Sequence, residues 1–137
     1  MNFLLDTNIC IALINERPAS VRQRFTLELG SGSPMLMSSV SIFELLYGAA
    51  KSSQRERNEH AINVLLSSVA GTISFDNEDA RAAGQIRAAL EKSGTPIGLY
   101  DLLLAGQARC RDLVVVTANE REFSRVPGLR WENWAKQ

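Results

Sequence analysis

Two runs in the chain are apolar at every position: Phe3-Leu4-Leu5 near the start and Leu113-Val114-Val115-Val116 near the end. A strand with one wet face alternates apolar and polar residues. An unbroken apolar run this short therefore suits a strand covered on both faces, as in a parallel sheet. What lies around these runs repeats the same alternation of strand and helix. Ile9, Ile11, Ala12, Leu13 and Ile14 predict a buried first helix, broken at Glu16-Arg17-Pro18. Pro18 opens a second helix from Ala19 to Leu29, with Val21, Phe25 and Leu29 on one face. Gly30 to Pro34 is a loop, and Met35 to Val40 a second strand. Ile42, Leu45, Leu46 and Ala49 stripe the helix after it. The polar stretch from Lys51 to Glu59 leads into another helix, apolar at Ala61, Ile62, Val64, Leu65, Leu66 and Val69. Thr72 to Phe75 is the third strand. Asp76 or Asn77 caps a helix through Leu90, and Leu99 to Ala108 is a nearly all-apolar helix. Leu113 to Thr117 is the fourth strand, Glu120 to Phe123 a short helix, and Leu129 to Trp131 the last strand. Such alternation predicts an α/β fold with a mainly parallel sheet.

The 137 residues fit one domain spanning 1–137, and 45% hydrophobic content fills a core. The formal net charge is zero, so the whole-molecule field does not announce a polyanion partner, while a local basic face remains open. Cys10 and Cys110 fit buried free thiols in a reducing cytosol better than a disulfide framework. The N-terminal apolar run is far too short for a signal peptide or a membrane span. A soluble, cytoplasmic protein is expected.

Chemistry is suggested by carboxylates at the ends of strands. Asp6 ends the first strand and is followed by Thr7 and Asn8, which start helices well. In open α/β sheets ligands bind beyond the carboxyl ends of the strands, so Asp6 stands either as a reactive group or as a helix cap. Glu44 lies opposite the apolar stripe of its helix, and Ser41-Ile42-Phe43-Glu44 matches a capping box, which alone accounts for it. Asp101 is the only charge between Gly98 and Ala108, in a helix that reads as buried. A lone buried carboxylate is costly unless it is paired, protonated or metal-bound, so function is the better explanation there. Asn119 and Glu122 follow the strongest strand and are further candidates, with a solvated helix start as the plainer account of Glu122.

Absences narrow the chemistry. The single histidine, His60, sits in a charged stretch and reads as exposed. Neither a Ser-His-Asp triad nor zinc-ligand spacing nor a glycine-rich phosphate loop is present. What remains is oxygen ligands on separated segments, suited to Mg²⁺ or Mn²⁺.

Four stretches together resemble the PIN-domain ribonucleases, and within them the VapC toxins of toxin–antitoxin pairs. They are Leu5-Asp6-Thr7-Asn8; Ser39 through Gly48; Thr95 through Ala105; and Val116 through Phe123, leading to Pro127-Gly128-Leu129 and Trp134. The resemblance spans essentially the whole chain. It implies a three-layer α/β/α sandwich with a five-stranded sheet in order 3-2-1-4-5, so that Asp6 and the Asn119 loop face each other. It implies that Asp6, Glu44 and Asp101 form an acidic metal site for Mg²⁺, which Mn²⁺ can replace, and that Glu44 does more than cap. Many PIN domains carry a fourth acid where this chain has Asn119. A neutral amide can offer its carbonyl to water or metal but adds no charge, and Glu122 could partly substitute.

The activity so implied is hydrolysis of an RNA phosphodiester in structured RNA, with tRNA, notably its anticodon stem-loop, as the substrate associated with this motif set and translation as what it inhibits. The resemblance further implies a homodimer, a VapB-like antitoxin, contact with DNA only through that antitoxin, and no membrane. Leu27, Leu46 and Tyr47 are candidates for the antitoxin's groove. Lys51, Arg55, Arg57, Arg87, Arg109, Arg121 and Arg125 are candidates for phosphate contacts. Two rivals remain. An aspartyl-phosphate enzyme needs a second acid near Asp6, where Asn8 stands. A non-catalytic RNA-binding or interaction module of the same fold would have no need of Asp6, Glu44 and Asp101.

Overall fold

The computed structural model describes residues 1–136. In chain order the elements are β1 (Phe3–Leu5), α1 (Thr7–Asn15), α2 (Ala19–Gly30), β2 (Met35–Ser38), α3 (Ser39–Ala50) and α4 (Arg55–Ser68). They continue with β3 (Gly71–Ile73), α5 (Asn77–Lys92), α6 (Leu99–Arg111), β4 (Val114–Val116), α7 (Glu120–Phe123) and β5 (Arg130–Glu132). The strands form one sheet in the order β3-β2-β1-β4-β5. All four pairings are parallel, with Leu4 opposite Leu36 on one side and Val115 on the other.

The unbroken apolar runs occupy the centre of this sheet because both faces are covered. Phe3, Leu5, Met35, Met37, Val114 and Val116 point into a layer built by Ile9, Leu13, Phe25, Leu45, Ile62 and Leu65 of α1–α4. Trp134 closes that layer, edge-on to Phe3 at 5.1 Å between ring centroids. Leu4 and Val115 point the other way, onto Ile86, Leu90, Leu102, Ala105 and Phe123 of α5–α7. The alternation of strand side chains thus feeds two cores, which gives three layers.

Helices α5 and α6 pack at backbone distance. A Cβ on Gly106 would stand 2.7 Å from the N, Cα and Cβ of Ala83, so only glycine permits this approach. Behind them lies a polar knot. Asp79, fully buried, accepts from Arg111 Nε at 3.1 Å and Nη2 at 2.9 Å, and from Gln107 Nε2 at 3.1 Å. Burial works to raise the Asp79 pKa, but Arg111, the Asp76 amide and Gln107 outweigh it and hold the carboxyl below its usual range. Asp76 and Asp79 also form the capping box that starts α5.

Several local expectations shift. β2 ends at Ser38, and α3 begins at Ser39, with the Ser38 hydroxyl accepting from the Val40 amide at 3.1 Å. The Ser41–Glu44 capping box therefore does not form, since both residues lie inside the helix. β3 covers Gly71–Ile73 rather than 72–75, and the Phe75 amide instead donates to Ser39 Oγ at 3.0 Å. β5 starts one residue later than expected. Leu29 and Leu46, placed on inward stripes, are exposed, as is the Cys110 thiol, while Cys10 is buried. His60 is exposed as expected. Among the described residues no helix is long and apolar enough to cross a membrane.

Candidate active site

The chain bends sharply at the carboxyl ends of β1 and β4, and the polar groups gather there. The Asp6 amide donates to the Val116 carbonyl at 3.0 Å, which ties the end of β1 to the end of β4. Asp6 itself is 2% exposed. Its Oδ1 accepts from the Ile9 amide at 2.8 Å and caps α1, so its capping and site roles coexist. Burial pushes its carboxyl up to about 6, with the Glu44 charge adding to the rise. Hydrogen bonds from the Thr117 hydroxyl and the Ile9 and Asn8 amides oppose it.

Glu44 reaches this spot from the second turn of α3. Its Oε1 accepts from Thr7 Oγ1 at 2.5 Å, and the same hydroxyl lies 3.1 Å from Ser41 Oγ. Thr7 therefore fixes Glu44 beside Asp6, and since α3 is capped by Ser38, Glu44 takes no part in the cap. Asp101 enters from the first turn of α6, where the helix dipole favours an anion. It is half-buried rather than buried, because the start of α6 at Leu99 and Tyr100 is exposed. Even so, burial raises its carboxyl to about 7, reinforced by Glu122 and then by the Asp6 charge, with the Asn119 amide opposing. Two carboxylates that feel each other cannot both ionise freely.

Asn119 caps α7, but its side chain is turned in an unexpected direction. Its amide nitrogen donates to Asp101 Oδ2 at 3.0 Å and to Glu122 Oε2 in a very short bond. Its carbonyl faces the Glu122 amide at 3.4 Å. The carbonyl is thus used as a helix cap, and the side chain meets the site as a donor to Asp101. Glu122 joins the cluster as well, taking the Gly98 amide at the start of α6 on its Oε1. Hydrogen bonding with Asp101, the Gly98 amide and the Asn119 amide together hold its carboxyl below the usual range. Glu122 so links the β4–α7 loop to the N-terminus of α6.

Thr7 and Thr117 escaped the sequence reading. Thr117 directly follows β4 and Thr7 lies two residues beyond β1, and a hydroxyl just past the carboxyl end of an apolar strand is the signal that could have found them. Thr117 is fully buried, and its hydroxyl also receives the Asn119 amide at 2.9 Å.

The donor chemistry fits a hard divalent cation. Every candidate ligand is oxygen, and Asp6 and Asp101 have no cationic side chain among the groups that set their pKa. Among the described residues no three acidic, histidine or cysteine side chains close on one point. A cation held by these carboxylates would therefore take most of its positions from water or substrate oxygen, which hard divalent cations such as Mg²⁺ tolerate.

A model of the PIN domain matches residues 3–129. The chain is 48% identical to the tRNA(fMet)-specific endonuclease VapC of Shigella flexneri, over 98% of this chain and 99% of that one. It is 38% identical to ribonuclease VapC2 of Rickettsia felis, over 99% of this chain and the whole of the relative. The chain belongs to the PIN-domain family, in its VapC branch. Solved VapC-containing structures superpose along its full length. DNA-bound VapBC from Salmonella typhimurium gives a TM-score of 0.88 at 45% identity, with 98% of each chain covered. VapBC2 from Rickettsia felis, bound to a promoter DNA fragment, gives 0.90 at 36%, covering 98% of this chain and 99% of that one. The expected PIN strand order 3-2-1-4-5 is the one observed. In this PIN domain β1 and β4 flank the point where strand order reverses, so Asp6 and the Asn119 loop meet where open α/β sheets bind ligands.

Proposed function

We propose that this VapC-family PIN domain is a divalent-metal-dependent endoribonuclease, the toxin of a toxin–antitoxin pair, acting on tRNA and thereby inhibiting translation. The observation that carries the reading is electrostatic. Asp6, Glu44 and Asp101 come from three distant segments and gather at the carboxyl ends of β1 and β4, where burial lifts Asp6 and Asp101 above the usual carboxylate range, the Glu44 charge adds to the rise at Asp6, and Glu122 and then Asp6 add to it at Asp101. Buried carboxylates crowded by further negative charge are relieved by a cation and are characteristic of functional sites.

Asp6, Glu44 and Asp101 would hold Mg²⁺ or Mn²⁺, which supplies water activation and charge neutralisation at a scissile phosphate. Thr7 orients Glu44 for this task, and Asn119 orients Asp101. The substrate class follows the relatives, two of which, at 48% and 46% identity, are named tRNA(fMet)-specific endonucleases. Of the candidate phosphate contacts, Arg55 and Arg87 are paired with Glu59 and Glu91. Arg109 and Arg125 are turned onto the carbonyls of Pro127 and Pro96. Lys51, Arg57 and Arg121 keep side chains without an ion pair among the described residues, and Arg121 adjoins the cluster in sequence.

Partnership supports the same reading. The solved relatives include VapBC complexes, and a Klebsiella pneumoniae structure described as a toxin–antitoxin complex is 25% identical with a TM-score of 0.68. A groove of about 240 Å³ between α1, α3 and α4 is lined by Ile11, Ile14, Leu45, Ala49 and Ile62 and opens onto Glu44. An amphipathic helix of the antitoxin fits such a groove, with an Arg or Lys directed at Glu44 and Asp6. Leu27, Leu46 and Tyr47 do not line it; Leu45, the residue before Leu46 and turned to the buried face, does. A homodimer in the cytoplasm completes the proposal. The test is cleavage of initiator and elongator tRNAs by purified protein, with Mg²⁺ and with EDTA, and with or without the small protein encoded beside it. Cleavage unaffected by EDTA, or no cleavage of any tRNA, overturns it.

A further inference from the structure

Beside the carboxylates lies a feature that metal chemistry does not use. Phe43 and Tyr47, one turn apart on α3, are 54% and 58% exposed, and Tyr100 at the start of α6 is 40% exposed. Aromatic rings exposed to this degree in one place mark an interaction surface. Phe43 and Tyr47 lie nearly parallel, 15° between planes with centroids 6.4 Å apart. Tyr100 leans in from the other helix, its centroid 6.0 Å from that of Phe43 at 49°. The rings and Glu44 line a cleft of about 310 Å³. Two of the three rings neighbour carboxylates of the acidic cluster in sequence: Phe43 precedes Glu44, and Tyr100 precedes Asp101. Lys51 Nζ stands over the Tyr47 ring at 4.8 Å and brings a cation to the rim.

We infer that Phe43, Tyr47 and Tyr100 form a stacking site for an unpaired nucleobase of the RNA, next to the bond to be cut. This deepens the nuclease reading and rests on it. The physical argument has three parts. A flat, π-faced ligand matches flat rings, whereas an aliphatic protein face would be served equally well by leucine. Two of the three rings carry hydroxyls, which can donate to or accept from the polar edge of a base. Because Glu44 lines the same cleft, a base held there lies next to the carboxylates, and Lys51 beside the Tyr47 ring can turn to a neighbouring phosphate. A site built this way reads loops and unstacked ends rather than duplex, because bases in a helix keep their faces covered.

The test uses the Asp101→Asn protein, so that RNA is bound without being cut, and a fluorescent synthetic RNA stem–loop as probe. Tyr47→Leu and Tyr100→Leu keep apolar bulk but remove the π face; Tyr47→Phe keeps the face. Each leucine variant should bind about 5- to 150-fold more weakly, the range expected for one lost base–aromatic stack. Tyr47→Phe should bind nearly as the parent. An abasic nucleotide at one loop position should weaken the parent similarly and cost the leucine variant nothing more, which a loss of fold could not reproduce. Leucine variants that bind within twofold of an RNA-binding parent overturn the stacking site and leave the nuclease reading standing. Weaker binding accompanied by a lower oligomeric state in sedimentation also overturns it, since the rings then serve a second copy of the chain. A parent that binds no RNA removes both readings together.

Discussion

Replacing Asp6 by asparagine should stabilise the metal-free protein, although Asp6 is nearly inaccessible and caps a helix. Asparagine keeps the oxygen that receives the Ile9 amide at 2.8 Å, and it ranks with aspartate as an N-cap. What it removes is a charge the fold disfavours. The carboxyl moves from an ordinary 3.8 to about 6 on folding. Roughly 2 units at about 1.4 kcal/mol each set an upper bound of about 3 kcal/mol, and reorganisation around Thr117 brings the expected gain to about 1–3 kcal/mol. The sign is set by the direction of the shift. As pH rises, the unfolded carboxyl loses its proton near 4 and the folded one near 6. The parent therefore loses stability across that window and stays level above it. The variant has no such loss, so the gap between the two should be near zero at pH 4 and full by pH 7. In urea, with a slope of about 2 kcal/mol per molar, the midpoint should move up by about 0.5–1.5 M at pH 7.5 in EDTA. Added Mg²⁺ or Mn²⁺ should narrow the gap, because it stabilises the parent alone. A variant no more stable than the parent at pH 7.5, or a gap of equal size at both pH values, refutes the reasoning.

Asp101→Asn should lose RNA cleavage by at least about 100-fold while its circular dichroism stays that of the parent, since the half-buried carboxyl is not part of either core. Survival of cleavage in both this variant and Asp6→Asn removes the proposed site. Asn119→Asp exchanges two donated hydrogen bonds for a third carboxylate against Asp101 and Glu122. It should cost about 1–3 kcal/mol in EDTA and recover in millimolar Mn²⁺, read by thermal unfolding under both conditions; equal melting with and without metal disproves it. Gly106→Ala drives a methyl to 2.7 Å from the Ala83 backbone and should destabilise by about 1–3 kcal/mol or more, measured by urea titration. A neutral result there means that α5 and α6 part more easily than their contact suggests.

Much of this architecture can be read from the residues because its central strands are covered on both sides. Phe3–Leu5 and Val114–Val116 need no tertiary information to be recognised, and Asp6 follows from where the first of them stops. Helix starts are harder. Ser38, Ser39 and Ser41 all offer hydroxyls within four residues, and local sequence does not decide which of them caps α3. That choice converted Glu44 from a cap into a site residue. Asp101 looked buried because the body of α6 is, but helix burial is not uniform along an axis that ends at a surface. The orientation of the Asn119 amide depends on Glu122 and Asp101, which arrive from a later turn and an earlier helix. The aromatic cleft has no local signature at all, since Tyr100 reaches Phe43 across more than fifty residues of chain.

The knot of Asp79, Gln107 and Arg111 has a mechanical consequence for the far end of its helix. α6 behaves as a beam clamped at its C-terminal end, where Arg111 and Gln107 grip a buried carboxylate, and held at the end that carries Asp101 by Glu122 on the Gly98 amide and by Asn119 on Asp101 itself. Ten residues separate Arg111 from Asp101, a lever of about 15 Å. A slight tilt at the clamp is magnified along that arm into a displacement of the reactive oxygen. The accuracy with which Asp101 meets its neighbours therefore depends on both ends of α6, including an ion pair a helix length away from the carboxylate cluster.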